Sequence, residues 1–307
     1  MPTNNLDEMC GITPEIKEKL VKASITMPLL LSTATVEQLM EAGVTEVQAQ
    51  ELIDNARTLS EIRYLSPSEF ADRFFSMSKV STGSQALDDI LGAGIETMTL
   101  TEFFGPSASG KSQICMQLSI NAQLPEEKGG LASKVLYIDT EGSFNPTRIE
   151  ELAKSRDVPP QDSLRNIFYV KVSTLSDLFD KVNKAKEFLS RGSRLLIIDN
   201  IINPFHNKHE RYGMHETQLH IQRLLGKLLT YADELNVAVV FTNRVYSMPD
   251  SLMGEDLRPF GGLVLEKAVH KKVLIRRHQE GVYRASLYID PPRQAFFKID
   301  SKGVGDL

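Results

Sequence analysis

Two cysteines in 307 residues, Cys10 and Cys115, are too few and too far apart for a disulfide framework or a zinc site. No apolar run reaches the roughly 20 residues that span a bilayer. The opening residues, MPTNNLDEMCG, hold neither a basic leader nor an apolar signal core. The expectation is a cytoplasmic protein with no membrane partner. An excess of cations is also missing: 35 Lys+Arg stand against 40 Asp+Glu, a net charge of −5, so bulk charge alone does not point to nucleic acid. The acidity is local, because residues 1–75 hold 12 acids against 6 bases and the remainder comes to +1. Repeats and low-complexity tracts are absent.

A chain that is 41% hydrophobic and 24% charged can bury a full core, and its length suits one large domain with one small one. Residues 12–60 read as short helices, TPEIKEKLVKAS, TVEQLMEAG and TEVQAQELIDNARTL. Each opens on a threonine with a glutamate one or two residues later, a pattern of N-capping and acidic first turns. A small helical domain over 1–62 follows, then a linker over 63–78. From residue 95 the pattern changes. Apolar runs (MTLTEFF, KVLYIDT, NIFYVKV, RLLIIDN, VAVVFTN) alternate with helical stretches, which predicts a mostly parallel sheet covered by helices on both faces over 79–307. Beyond 270, KKVLIRR, YRASLYID and AFFKID are expected to extend that sheet in antiparallel fashion.

The most specific motif is GPSASGKS, residues 105–112. It follows an apolar run and opens a helical one, the strand, glycine loop and helix of a P-loop. The glycines let backbone N–H groups turn inward around phosphate oxygens, and the helix start adds its positive end. Lys111 would reach the β- and γ-phosphates and the Ser112 hydroxyl would bind Mg²⁺. The predicted nucleotide contacts run through Gly105, Pro106, Ser107, Ala108, Ser109, Gly110, Lys111, Ser112 and Gln113.

In an α/β sheet the site lies at the carboxyl ends of the strands. KVLYIDTEG ends in Asp139, Thr140 and Glu141; SRLLIIDN in Asp199 and Asn200; AVVFTNR in Thr242, Asn243 and Arg244. Asp199 fits a carboxylate that holds the Mg²⁺ shell, and equally a helix N-cap. Glu141 fits a base that deprotonates an attacking water, or by position alone a solvated loop acid. Arg244 suits a phosphate contact or a surface ion pair.

The order VSTGSQALDDILGAGIETMTLTEFFGPSASGKSQI, VLYIDTEGSFNPTRI, LLIIDN, VVFTNRV, RPFGG resembles the archaeal RadA recombinases of the RecA superfamily over about residues 79–305. The N-terminal region resembles that family's helix-hairpin-helix domain. The resemblance implies a RecA-like α/β ATPase core using ATP and Mg²⁺. It also implies a homo-oligomeric filament or ring on single-stranded DNA, pairing and strand exchange with duplex DNA in repair, and recombination mediator proteins as further partners. By correspondence, Glu141 is the catalytic glutamate, Arg148 lies beside the adenine, and Asp199 is the Walker B aspartate. Asp290 and Pro291 form the cap that a neighbouring subunit lays over ATP. The segment 206–218 falls at the first DNA loop, where Lys208, Arg211 and Tyr212 combine cations with a ring suited to phosphate contact and base stacking. The segment 245–260 falls at the second, with Arg258 beside Asp250, Glu255 and Asp256.

Several positions depart from the family pattern. Arg244 replaces a glutamine, His206 an arginine, Thr217 and Gln218 a Glu-Arg pair, Lys267 a histidine, and Thr13 a hairpin glycine. The subunit-docking Phe-x-x-Ala becomes Tyr64, Leu65, Ser66, Pro67, in which Pro67 lacks the N–H of alanine. An alternative is therefore a recombinase paralogue that binds ATP and acts as mediator or regulator. A P-loop kinase for a small molecule is the third class, and the STGS…LGAGIE lead-in argues against it.

Overall fold

The computed structural model describes residues 6, 11–23, 25, 31–32, 34–59, 67–206, 214–247, 257–289 and 291–307. It divides into two compact units, Met1–Ser76 and Met77–Leu307. Of the predicted site residues, Tyr64, Lys208, Arg211, Tyr212 and Asp290 lie outside the described residues.

The first unit is helical: α1 (Pro14–Lys22), α2 (Val36–Glu41), α3 (Glu46–Leu59) and α4 (Pro67–Phe75). The threonines start three of these helices as expected. Thr13 accepts from the Ile16 N–H, and Thr35 and Thr45 accept from the N–H groups of Gln38 and Gln48. The side chains that reach back to the cap N–H groups are those glutamines, three residues on, not the glutamates beside them. Leu20, Leu31, Leu39, Ala49, Leu52, Ile53 and Ala56 form the buried centre of this unit. The segment expected as a linker contains α4, with Pro67 at its first turn, where a missing N–H costs nothing.

The second unit is a nine-stranded sheet in the order β13-β12-β11-β10-β3-β7-β6-β4-β5. Its strands are β3 (Leu100–Phe104), β4 (Lys134–Asp139), β5 (Ile167–Lys171), β6 (Ser193–Asp199), β7 (Ala238–Asn243), β10 (Lys271–Gln279), β11 (Val282–Leu287), β12 (Arg293–Asp300) and β13 (Gly303–Gly305). Two short ribbons stand apart, β1 (Lys79–Val80) with β2 (Ile95–Glu96), and β8 (Val245–Ser247) with β9 (Leu257–Pro259). The pairings from β10 through β3, β7, β6 and β4 to β5 are all parallel. The antiparallel extension starts one strand later than the sequence suggested, because β10 runs parallel to β3 and antiparallel only to β11.

Alternate residues of each central strand enter opposite cores, the period-2 consequence of a sheet buried on both faces. Val135, Tyr137, Leu195, Ile197 and Val240 join one core with α5 (Gln85–Leu91), α6 (Lys111–Asn121) and α7 (Pro146–Lys154). Leu136, Ile138, Leu196, Ile198, Val239 and Phe241 join the other, under α9 (Leu175–Leu189), α10 (Met214–Leu235) and α11 (Gly262–Ala268). A short α8 (Pro160–Arg165) precedes β5. No helix among the described residues is long and apolar enough to cross a membrane.

Candidate functional site

The parallel strands end together, and their last residues meet. β3 runs out at Phe104 into the loop 105–110, and α6 begins at Lys111 with Gly110 as its N-cap. Ala108 and Gly110 both have positive φ, 59° and 92°. No side chain caps the helix, so its first N–H groups face the loop. A Cβ on Gly105 would stand 2.2 Å from the Ile275 carbonyl oxygen, so only glycine lets the loop pass this close to β10. Lys111 Nζ donates to the carbonyls of Gly105 (2.9 Å) and Pro106 (2.7 Å) and to Ser109 Oγ (3.2 Å), which places the ammonium inside the loop. Burial lowers the Lys111 pKa, opposed by the negative charges of Asp199 and Glu141. Pro106, Ser107 and Ala108 are exposed, Ser109 is buried, and Ser112 and Gln113 are half-buried.

Asp199 is buried at the end of β6, beside β4 and β7, and three hydroxyls donate to it. Thr242 Oγ1 contacts Oδ1, while Tyr137 OH (3.0 Å) and Ser143 Oγ (2.8 Å) contact Oδ2. These fix the carboxylate's orientation without supplying a charge. The same burial, with the Asp199 charge beside it, raises the Tyr137 pKa well above its ordinary value, so the phenol remains a donor.

The loop after β4 is shaped by Asp139, which is fully buried. Its Oδ1 accepts from the N–H groups of Glu141 (3.1 Å), Gly142 (2.8 Å) and Ser143 (3.2 Å), and its Oδ2 from that of Phe144 (3.0 Å). Four successive amides wrapped on one carboxylate set where Glu141 points. Glu141 Oε1 then accepts from Arg244 Nη2 (2.9 Å), Arg244 Nε (3.1 Å) and Asn200 Nδ2 (3.1 Å). Arg244 Nη2 also reaches Asn203 Oδ1 (3.3 Å).

The remaining predicted residues separate into two groups. Arg148 joins Gln113, with Nε donating to Oε1 at 2.9 Å, and its guanidinium also reaches the carbonyls of Asp300 (2.6 Å) and Ser301 (2.7 Å). It thereby ties α7 to the phosphate-loop helix and to the end of β12. Pro291 is exposed after β11, and Arg258 is exposed on β9, paired across the ribbon with Tyr246.

The model of the Rad51 family matches residues 74–307. The chain belongs to the Rad51 family. It is 33% identical over 309 residues to the DNA repair and recombination protein RadA of Aeropyrum pernix, covering 98% of this chain and 97% of that protein. It is 34% identical over 316 residues to the protein of the same name from Ignicoccus hospitalis, covering 97% and 94%. Membership of the family agrees with the RecA-like α/β core seen here.

A nucleoside triphosphate with Mg²⁺ fits these residues. The uncapped N-terminus of α6, the positive-φ positions and Lys111 make an anion cradle. One hydroxyl, Ser112, and one carboxylate, Asp199, form the sparse oxygen set typical of Mg²⁺ bound largely by water and phosphate. Among the described residues no cluster of three or more His, Cys, Asp or Glu offers a separate metal cage.

The sequence placed Asp139, Asn200 and Thr242 at the strand ends without a role, and it did not mark Tyr137, Ser143 and Asn203 as parts of the site. A usable signal existed for Tyr137, since a phenol inside a fully buried strand needs a partner.

Proposed function

We propose that this chain is a DNA-dependent ATPase that assembles as a filament on single-stranded DNA and drives homologous pairing and strand exchange in DNA repair. The observation that carries this reading is the convergence of the phosphate loop, Glu141 and Asp199 at one end of the parallel strands, in a chain aligned end to end with proteins named for DNA repair and recombination.

The roles follow from chemistry. The backbone of 105–113 and Lys111 hold the phosphates, and Arg148 with Gln113 borders the base. Ser112 and Asp199 would hold Mg²⁺, which would supply charge neutralisation on the phosphate oxygens. Glu141 accepts a proton from water as the water oxygen bonds to the γ-phosphorus and the bond to the β–γ bridging oxygen breaks, releasing ADP. Asp290 and Pro291 cap the nucleotide of the next subunit, and Tyr64 and Pro67 serve docking between subunits. Lys208, Arg211, Tyr212 and Arg258 meet DNA. The domains are a helical unit over 1–62, a linking segment over 63–78 and the ATPase core over 79–307, in a cytoplasmic protein that recombination mediators would load.

One observation favours a second reading, a paralogue that binds ATP and regulates a recombinase. Glu141 is held by the guanidinium of Arg244, where the family pattern has a neutral glutamine, and its Oε1 already accepts from Arg244 and Asn200, which leaves that oxygen less free to meet an attacking water. ATP hydrolysis with and without single-stranded DNA, on the intact chain and on Glu141→Gln, separates them. Stimulation that vanishes in the variant supports the recombinase motor. ATP binding with negligible turnover in both conditions supports the regulator.

A further inference from the structure

Glu102 lies on β3, three residues before the phosphate loop, and is fully buried. Across the sheet it pairs with Lys272 on β10 and Phe241 on β7. Its Oε1 accepts from Asn243 Nδ2 at 2.7 Å, and the same nitrogen donates to the Phe260 carbonyl at 2.8 Å. Two buried atoms in this pair have no partner, Glu102 Oε2 and Asn243 Oδ1. Both are acceptors when the glutamate is ionised, and a buried acceptor left bare is costly.

One proton resolves both. A carboxyl O–H at Oε2 donating to Oδ1, beside the existing bond from Nδ2 to Oε1, closes a two-point ring between acid and amide. We propose that Glu102 is held as a neutral carboxylic acid that clamps Asn243 and so positions Arg244 and Phe260 at the base of the β8–β9 ribbon.

The consequence reaches Glu141 through Arg244. Asn243 holds the Phe260 carbonyl, and the Phe260 N–H donates to the Arg244 carbonyl at 3.2 Å, so the clamp closes the base of the β8–β9 ribbon. The adjacent side chain, Arg244, is the one that contacts Glu141. Glu102 is thus a positioning residue. The charged groups around it are Lys272 on β10 and, acting on Lys272, Glu266 of α11. Burial pushes the Glu102 pKa up to about 7, against the Asn243 hydrogen bond and the Lys272 charge. Below that value the acid is neutral and the ring closed. As pH rises through it the carboxylate forms, the bond to Oδ1 is lost, and the native state loses stability relative to an unfolded chain whose glutamate is already ionised.

The inference about turnover rests on the ATPase reading; the protonation state does not. Infrared difference spectra of the intact chain should show a protonated-carboxyl band that titrates near neutrality and is missing from Glu102→Gln. Glutamine rebuilds both hydrogen bonds without a proton. With the grip of Arg244 on Glu141 loosened, DNA-stimulated turnover should rise roughly two- to fivefold between about pH 6 and pH 8.5 in the natural chain relative to Glu102→Gln, whose ring stays closed, the worth of that exposed pair. Glu102→Leu should show the raised turnover at both pH values. The melting temperature should show the same pH contrast between the natural chain and Glu102→Gln. The absence of the infrared band at about pH 6, or a Glu102→Gln melting profile that overlays the natural one, overturns the proposal. A chain that shows the band and the melting contrast but hydrolyses no ATP supports the clamp and removes the ATPase reading instead.

Discussion

Arg244 and Glu141, 103 residues apart in the chain, form a two-pronged ion pair, with Nη2 and Nε at 2.9 and 3.1 Å from the same carboxylate oxygen. The pair sits at the mouth of the site, with side-chain exposures of 50% and 29%. Solvent therefore screens it, and its strength is that of a surface pair, about 0.5–1 kcal/mol. Replacing Arg244 by glutamine frees Glu141 Oε1 from the guanidinium, and on the proposed reading leaves it open to an attacking water. Arg244→Gln should raise DNA-stimulated ATP turnover roughly two- to fivefold, as that energy implies, with ATP affinity little changed. Steady-state phosphate release measures it, and a lower turnover would show instead that the guanidinium itself serves the phosphates.

Glu141→Gln keeps a carbonyl oxygen for Arg244 and Asn200 but removes the proposed proton acceptor. Turnover should fall by about 10²–10⁴, the usual worth of a general base, while a labelled ATP analogue still binds. Loss of binding together with turnover would mean that Glu141 holds the loop and does not take a proton.

Asp139 tests how far the fold sets the chemistry. Asparagine can accept from the amides of 141–143, but its NH₂ group then faces the Phe144 N–H, donor against donor. Asp139→Asn should cost about 2–3 kcal/mol of stability and lower turnover more than ATP affinity, because Glu141 loses its anchor while the phosphate loop keeps its own. Thermal melting and turnover on the same preparation check both.

Much of this was legible from the chain alone. The alternation of apolar runs with helical stretches located the parallel sheet, and the polar residues closing KVLYIDTEG, SRLLIIDN and AVVFTNR located the site, because both depend on local pattern. The direction of β10 was not legible, since a strand that alternates in polarity can pair either way and Lys271–Leu274 finds β3 only through the fold. Nor was the pairing of Glu141 with Arg244, or of Glu102 with Asn243 141 residues later. A buried glutamate inside MTLTEFF looks like a break in an apolar run, and only the neighbouring strand explains it. The N-terminal caps were placed correctly at threonines, but which side chain reciprocates depends on the helix phase, and that selects Gln38 over Glu37.

The cations proposed to meet DNA give the last prediction. Lys208 and Arg211 stand in the first loop segment, while two positions where the family pattern carries arginine hold His206 and Gln218. Fewer phosphate contacts mean fewer released counterions. If Lys208 and Arg211 each meet one phosphate, the double variant Lys208→Ala, Arg211→Ala should reduce the slope of log K against log salt by about 1.4, at about 0.7 per contact on a single strand. Fluorescence anisotropy of a labelled oligonucleotide titrated at several salt concentrations measures that slope. An unchanged slope with weaker binding would assign these side chains to the loop's own order. A slope that falls with binding unchanged at high salt would place the remaining affinity in stacking, for which Tyr212 is the ring in the same segment.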